Sequence, residues 1–148
     1  MKSPYDPLET KRLLTNCIYL EDQLTDVLGF SIYGSPWQPE FFGWAFNLPR
    51  DRSLLDKWRL IPEKVDILIT HGPPLGRGDL CAAGNRAGCH YLLQEIQERI
   101  KPRFHIFGHI HEDPGASSDG TTTFINASTC TYNYKPSQPV LVFDICKP

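Results

Sequence analysis

Two of the five histidines, His109 and His111, stand two residues apart in the stretch FGHIHEDPG, and a third, His71, ends the apolar run VDILITHGPP. Imidazole is the commonest protein metal ligand because its neutral nitrogen donates at physiological pH. In extended backbone, residues i and i+2 share a face about 6–7 Å apart, so two such rings can reach one ion or two adjacent ions. Gly108, just before His109, is read as removing a side chain that would crowd an incoming ion. His71, His109 and His111 are therefore the candidate metal ligands. His90 and His105 are read differently. His90 falls on the polar side of a helical pattern and is expected in solvent, while His105 lies inside the apolar run RFHIF and is expected as a hydrogen-bonded core residue.

Convergence of three imidazoles requires particular elements. VDILI is a nearly continuous apolar run of the kind found in a strand covered on both faces. From Gly88 to Lys101, apolar residues recur at three- and four-residue steps, predicting a helix with one buried stripe that Pro102 ends. RFHIF is a second buried strand, so strand, helix and strand follow in βαβ order. If the strands are parallel, both breaks, at Gly72 and Gly108, fall at the carboxyl edge where open α/β sheets hold ligands. Upstream, CIYL and VLGFSIY predict strands and an early hairpin. GSPWQPEFFGWAFNLPR, with three prolines and many aromatics, predicts a long ordered loop. Its rings, Trp37 to Phe46, are read as core packing for the most part, with a wall for a nucleobase as the other use. DRSLLDKWRLIP predicts a short helix, and TTTFIN and PVLVFDI two closing strands.

The 148 residues are 41% hydrophobic and carry a formal charge of -2, with no basic block to attract a phosphate backbone. Neither a nucleic-acid partner nor a membrane is expected, and the opening MKSPYDPLETKRLL lacks the apolar centre of a secretory signal. Five cysteines without Cys-x-x-Cys spacing argue for reduced, buried thiols. A cytoplasmic location is expected.

THGPPLG followed some thirty residues later by FGHIH resembles the calcineurin-like metallophosphoesterases, and NLPR, SLLDKW, LIP, DILITHGPPLG and INASTCT resemble the brain-type metallophosphoesterase domain-containing proteins. The likeness runs from about residue 10 to the C-terminus. It implies an α/β fold, the C-terminal half of a four-layer α-β-β-α sandwich, with residues 1–148 as a partial domain. It implies a metal-dependent phosphoester hydrolase of phosphodiesterase type, acting on small phosphoesters or nucleotides such as cyclic ones. In such enzymes two divalent ions, manganese, iron or zinc, support in-line hydrolysis at phosphorus. By the same resemblance His71 and His109 would bind the second metal and His111 the first.

The family's opening motifs, Asp-x-His, a bridging Gly-Asp and Gly-Asn-His, do not occur upstream of His71, so no catalytic residue is assigned. Gly78-Asp79 and Gly84-Asn85 follow His71 instead, and Arg86 stands where a catalytic histidine would be. Two divalent ions about 4 Å apart repel by about 16 kcal/mol at an effective dielectric near 20, which neutral nitrogens do not offset. One ion, or none, is then expected, with Glu112, Asp113 and Asp119 the carboxylates near enough in sequence to complete a mononuclear site. The other reading is a catalytically weak or inactive metal- or nucleotide-binding regulator. Half a sandwich also leaves apolar sheet surface uncovered, which predicts self-association.

Overall fold

The computed structural model describes residues 6–146. The first five residues of the N-terminal lead lie outside that range. Eight strands and three short helices follow in the order α1 (Pro7–Arg12), β1 (Gln23–Val27), β2 (Phe30–Ser35), β3 (Gln38–Pro39), β4 (Asn47–Leu48), α2 (Arg52–Trp58), β5 (Ile67–Thr70), α3 (His90–Glu95), β6 (Phe104–Phe107), β7 (Gly115–Ser118) and β8 (Thr123–Asn126). Six strands form one mixed sheet in the order β1-β2-β5-β6-β8-β7, and β3 and β4 form a two-stranded ribbon. The class is α/β, as the residues and the resemblance imply.

The sheet's centre is parallel. Registers align Tyr33, Leu68, His105 and Phe124 across β2, β5, β6 and β8. All four are buried and share one face, because alternate residues of a strand point the same way. Leu54 and Trp58 of α2 and Leu92 of α3 join that layer in a single core with Ile96, Ile100 and Phe107. α2 forms because Asp51 accepts a hydrogen bond from the Ser53 backbone N–H at 2.8 Å, satisfying one orphan donor at its N-terminus. Its far end is closed from another element: Arg99 donates to the carbonyls of Trp58 and Ile61 at 2.9 and 2.6 Å. A guanidinium there both satisfies free carbonyls and complements the helix dipole.

The helix expected over Gly88–Lys101 is present but changes pitch. It is α-helical only to Glu95, and Ile96–Ile100 form a π-helical turn. The Lys101 N–H reaches the Ile96 carbonyl at 2.8 Å, and Lys101 itself adopts φ 50°. A residue before proline is excluded from the helical region, so the chain leaves the helix by widening its last turn.

Three expectations about strands need correction, and one strand, β7, is additional. CIYL is not a strand: Leu20 instead plugs the site of Gly34, where an added Cβ would lie 2.5 Å from Leu20 Cβ. The alternation in VLGFSIY runs through a turn, with Leu28 and Gly29 at φ 56° and 84° linking β1 to β2. Positive φ at both central residues is the geometry of a tight hairpin, so the early hairpin exists with its corner inside the stretch read as a strand. β7 was not expected, because Gly-Ala-Ser-Ser has low strand propensity; it is held as an edge by β8. PVLVFDI is not a strand. Its Phe143 stacks on Phe104 at 4.9 Å, so it crosses the sheet's second face and its backbone meets no strand edge. That face is thinly covered: Ile69, in central strand β5, is 39% exposed and Val142 88%.

Thiol burial is also narrower than expected. All five cysteines are free, but only Cys89 is buried, receiving the Trp58 indole N–H at 3.4 Å.

His105 is the hydrogen-bonded core histidine that its apolar strand implies. Thr70 donates its hydroxyl proton to the Gly72 carbonyl at 2.7 Å, so it can only accept from His105 Nε2, 2.8 Å away. The ring is therefore the Nε2–H tautomer, and its Nδ1 is buried without a partner. Protonating that nitrogen would bury an unpaired charge, and burial pushes the His105 pKa down to about 3. The unfolded chain binds this proton below about pH 6.5 and the folded chain does not, so stability present above pH 6.5 falls as pH drops toward 3. The expected slope from this group is about 1.4 kcal/mol per pH unit. Denaturant melts of the wild type and His105→Phe between pH 4 and 7 test it: the variant's stability should vary less over that range, and equal slopes would refute the assignment.

Candidate metal centre

β5 and β6 are parallel neighbours, pairing Ile67 with Phe104 and Ile69 with Ile106. Both carboxyl ends therefore lie at one edge, and the Gly108 N–H donates to the His71 carbonyl at 3.0 Å, joining the two breaks. The rings follow. His71 Nε2 and His109 Nδ1 are 3.1 Å apart, with ring centroids at 4.9 Å. His109 reaches this position in the left-handed region, at φ 71°, a conformation costly for a side chain with a Cβ and found where structure imposes it.

His111 stands apart from that contact. Its Nδ1 lies 3.2 Å from the Thr131 carbonyl and its ring meets Tyr134 edge-on at 5.1 Å. It remains near enough to act electrostatically on His109. Burial first, then the fields of His71 and His111, push the His109 pKa down to about 4 against an opposing pull from Glu112. His71 keeps a solvent-open edge, and its pKa is lowered by burial of the rest of the ring. Both rings of the pair are thus neutral at physiological pH, the form that binds metal.

The role read for Gly108 does not hold. A Cβ there would meet nothing closer than Ser128 Cα at 3.9 Å, and its φ is not positive, so neither space nor backbone demands glycine. The loop glycines with a steric duty are Gly88, whose Cβ would fall 2.4 Å from the Pro74 carbonyl oxygen, and Gly78, at φ 59° with Asn126 Cβ 2.8 Å away.

The candidate carboxylates are engaged elsewhere. Asp113 accepts from the Leu80 N–H at 3.0 Å and Glu112 from the Ala82 N–H at 3.1 Å, tying loop 72–89 to the His-x-His segment. Asp119 caps the β7–β8 turn, accepting from Thr121 and Thr122 at the opposite end of β8 from the histidines. Asp79 is fully buried and accepts from Arg86 at 2.6 Å and from the Gly76 and Gly88 N–H groups at 2.9 and 3.2 Å. It is a loop clamp. His90 is exposed against Tyr91, with centroids 3.8 Å apart.

Sequence reasoning missed Asn126. It is buried at the carboxyl end of β8, where its amide donates to the carbonyls of Gly78, Ile110 and Asp113 at 2.9, 2.8 and 3.0 Å. Its Oδ1 accepts from the Ser128 N–H at 3.0 Å. One side chain thereby holds the three loops that surround the histidines. Its place at the end of an apolar strand, level with Phe107 and one residue short of the Gly108 break, was the available signal.

Two nitrogens bound to one tetrahedral ion at about 2.05 Å sit about 3.3 Å apart, close to the observed 3.1 Å. The pair fits one ion as half a coordination sphere. Among the described residues no group of three His, Cys, Asp or Glu side chains could hold an ion, so a dinuclear arrangement does not fit them.

No family model matches the chain. Over 137 residues, 92% of its length, it is 61% identical to metallophosphoesterase domain-containing protein 1 of Homo sapiens. Its mammalian relatives are metallophosphoesterase domain-containing proteins. The match covers 42% of the human protein, and a UPF0046 protein of Caenorhabditis elegans, 50% identical over 138 residues, is covered over 35%. The chain thus spans less than half the length of these two relatives. One crystal structure superposes on 82% of the chain and 49% of its own length, with a TM-score of 0.59 at 20% identity, a likeness in fold alone. No helix among the described residues is long and apolar enough to cross a membrane.

Proposed function

We propose that this chain carries the C-terminal metal-ligand segment of a metal-dependent phosphoester hydrolase of phosphodiesterase type, with His71 and His109 as a shared ligand pair. The observation that carries this reading is the 3.1 Å approach of two neutral imidazoles from the ends of adjacent parallel strands. A divalent ion held there, zinc, manganese or iron, would supply Lewis-acid stabilisation of charge on phosphoryl oxygens. The chain's own contribution is orientation: Asn126, Glu112 and Asp113 fix the loops, and the strand ends fix the rings. His111, which turns to the Thr131 carbonyl beside the pair, is left to meet the phosphate rather than a second ion. Cyclic-nucleotide-like phosphodiesters are the proposed substrates.

The alternative, a metal- or nucleotide-binding regulator without turnover, draws support from the lack of a three-ligand group among the described residues. Calorimetric titration with Zn²⁺ and Mn²⁺, beside turnover of bis-p-nitrophenyl phosphate, separates the two. One ion per chain is expected, with affinity lowered about a hundredfold in His71→Ala and in His109→Ala, the loss typical of removing one ligand from an incomplete sphere. Uptake with no turnover supports the regulator, and unchanged uptake in both variants defeats the ligand assignment.

The free cysteines support a reducing compartment, and we place the protein in the cytoplasm. The partly open second face, with Ile69, Leu141 and Phe143 each about two-fifths exposed, supports self-association. Light scattering after size exclusion should show species heavier than the monomer; a monodisperse monomer at high concentration would refute it.

A further inference from the structure

The aromatic loop divides into two sets of rings. Trp37 and Phe46 pack against each other at 5.6 Å, Trp37 lies against the core, and its indole N–H donates to Asp22 at 2.8 Å. That pair is structural. Phe41, Phe42 and Trp44 are 41%, 73% and 53% exposed and belong to no core cluster among the described residues. Three large rings in water are held there by built-in constraints. Gln38, almost wholly buried, donates to Asn47 at 2.9 Å, and the Asn47 amide donates to the carbonyls of Phe41 and Phe42 at 3.0 and 3.2 Å. Strands β3 and β4 close the loop's base, and Phe42 is fixed at φ 51°.

The trio borders the histidine pair. The Phe41 ring meets His109 edge-to-face with centroids 5.2 Å apart, and meets Phe42 and Trp44 in the same manner at 4.4 and 5.4 Å. Edge-to-face contacts do not hide both faces of a ring as flat stacking does, so π surface stays available beside the ligand pair. A phosphoester held at His71 and His109 would lie beside Phe41, whose ring is 5.2 Å from that of His109.

We propose that Phe41, Phe42 and Trp44 form the ester-group subsite of the histidine centre and select phosphoesters that carry a planar aromatic ring. The inference rests on the metal-ligand reading above and adds to it which side of the site the substrate's organic group occupies. Stacking on such a platform tolerates any planar ring, because every one offers a π face. An aryl ester places its ring directly beside the phosphate, whereas a nucleotide places it one sugar farther away.

The test is calorimetric titration of the Zn²⁺-loaded chain with methyl phosphate, phenyl phosphate and adenosine 5′-monophosphate. Phenyl phosphate or the nucleotide should bind at least about fivefold tighter than methyl phosphate. The tighter of the two reports whether the platform sits at aryl or nucleobase distance. The ring-to-methyl ratio should collapse toward one in Trp44→Ala and Phe41→Leu and return in Trp44→Phe, which keeps a ring. Phe41→Leu keeps apolar bulk, so a ratio that survives in it, or methyl phosphate binding the wild type as tightly as the ring-bearing ligands, overturns the subsite while leaving the metal reading intact. A wild type that takes up no ion and binds none of the three defeats both.

Discussion

Asn126→Leu should lower the unfolding free energy by about 4 kcal/mol, roughly a 10 °C fall in melting temperature for a chain of this size. The Asn126 amide meets three carbonyls and its oxygen one N–H, all within 3.0 Å. Leucine fills the space and satisfies none of these, and each buried group left without a partner costs about 1–3 kcal/mol. Asn126→Asp is the sharper probe. It keeps the shape and the acceptor for Ser128 but turns a donor into a carboxylate facing three carbonyl oxygens, so it should be at least as damaging at neutral pH. Thermal melts followed by circular dichroism decide the point. A variant of either kind that melts with the wild type would show that the three loops are held by other means. Because Ile110 lies between His109 and His111, the loss should also weaken metal uptake.

Asp79→Ala should be comparably severe, about 2–5 kcal/mol, because removing the carboxylate strands two backbone donors at about 1–3 kcal/mol each. The carboxylate is fully buried while Arg86 is about half exposed, so the arginine can turn to water once its partner is gone. The unrepaired damage is at the Gly76 and Gly88 N–H groups. The Gly88 donor cannot reach solvent, because Gly88 is buried. Asp79→Asn, which keeps one acceptor oxygen, should recover part of the loss. Chemical denaturation of the three proteins checks the order wild type, Asn, Ala; an Ala variant within 1 kcal/mol of wild type would mean the loop does not depend on this clamp.

The site was legible in part because its histidines mark strand ends. His71 and His109 each follow an apolar run broken by glycine or proline, and a strand-helix-strand order puts two such breaks on one edge. Nothing in that pattern reports ring orientation. His111 shares its spacing with His109, yet the φ of 71° at His109 removes the extended geometry on which an i, i+2 shared face depends. The two rings therefore diverge, one toward His71 and the other toward Thr131. Leu28 hid a hairpin corner for a similar reason: a residue with low preference for positive φ sits there because the β1–β2 ladder on either side compels it. Gly108 misled in the opposite sense, suggesting a steric role that its surroundings do not contain.

By itself the sequence determined the α/β class, the order of the central elements and the edge at which His71 and His109 emerge, because hydrophobic period and strand-ending residues are local properties. Tertiary structure alone decided that two imidazoles meet and the third turns aside. It also assigned Glu112, Asp113, Asp79 and Asn126 to holding loops, and sorted the aromatic loop into packed and exposed rings. Each of these depends on hydrogen bonds and contacts between residues far apart in the chain, 48 positions for Asn126 and Gly78, and such pairings leave no periodic trace along it.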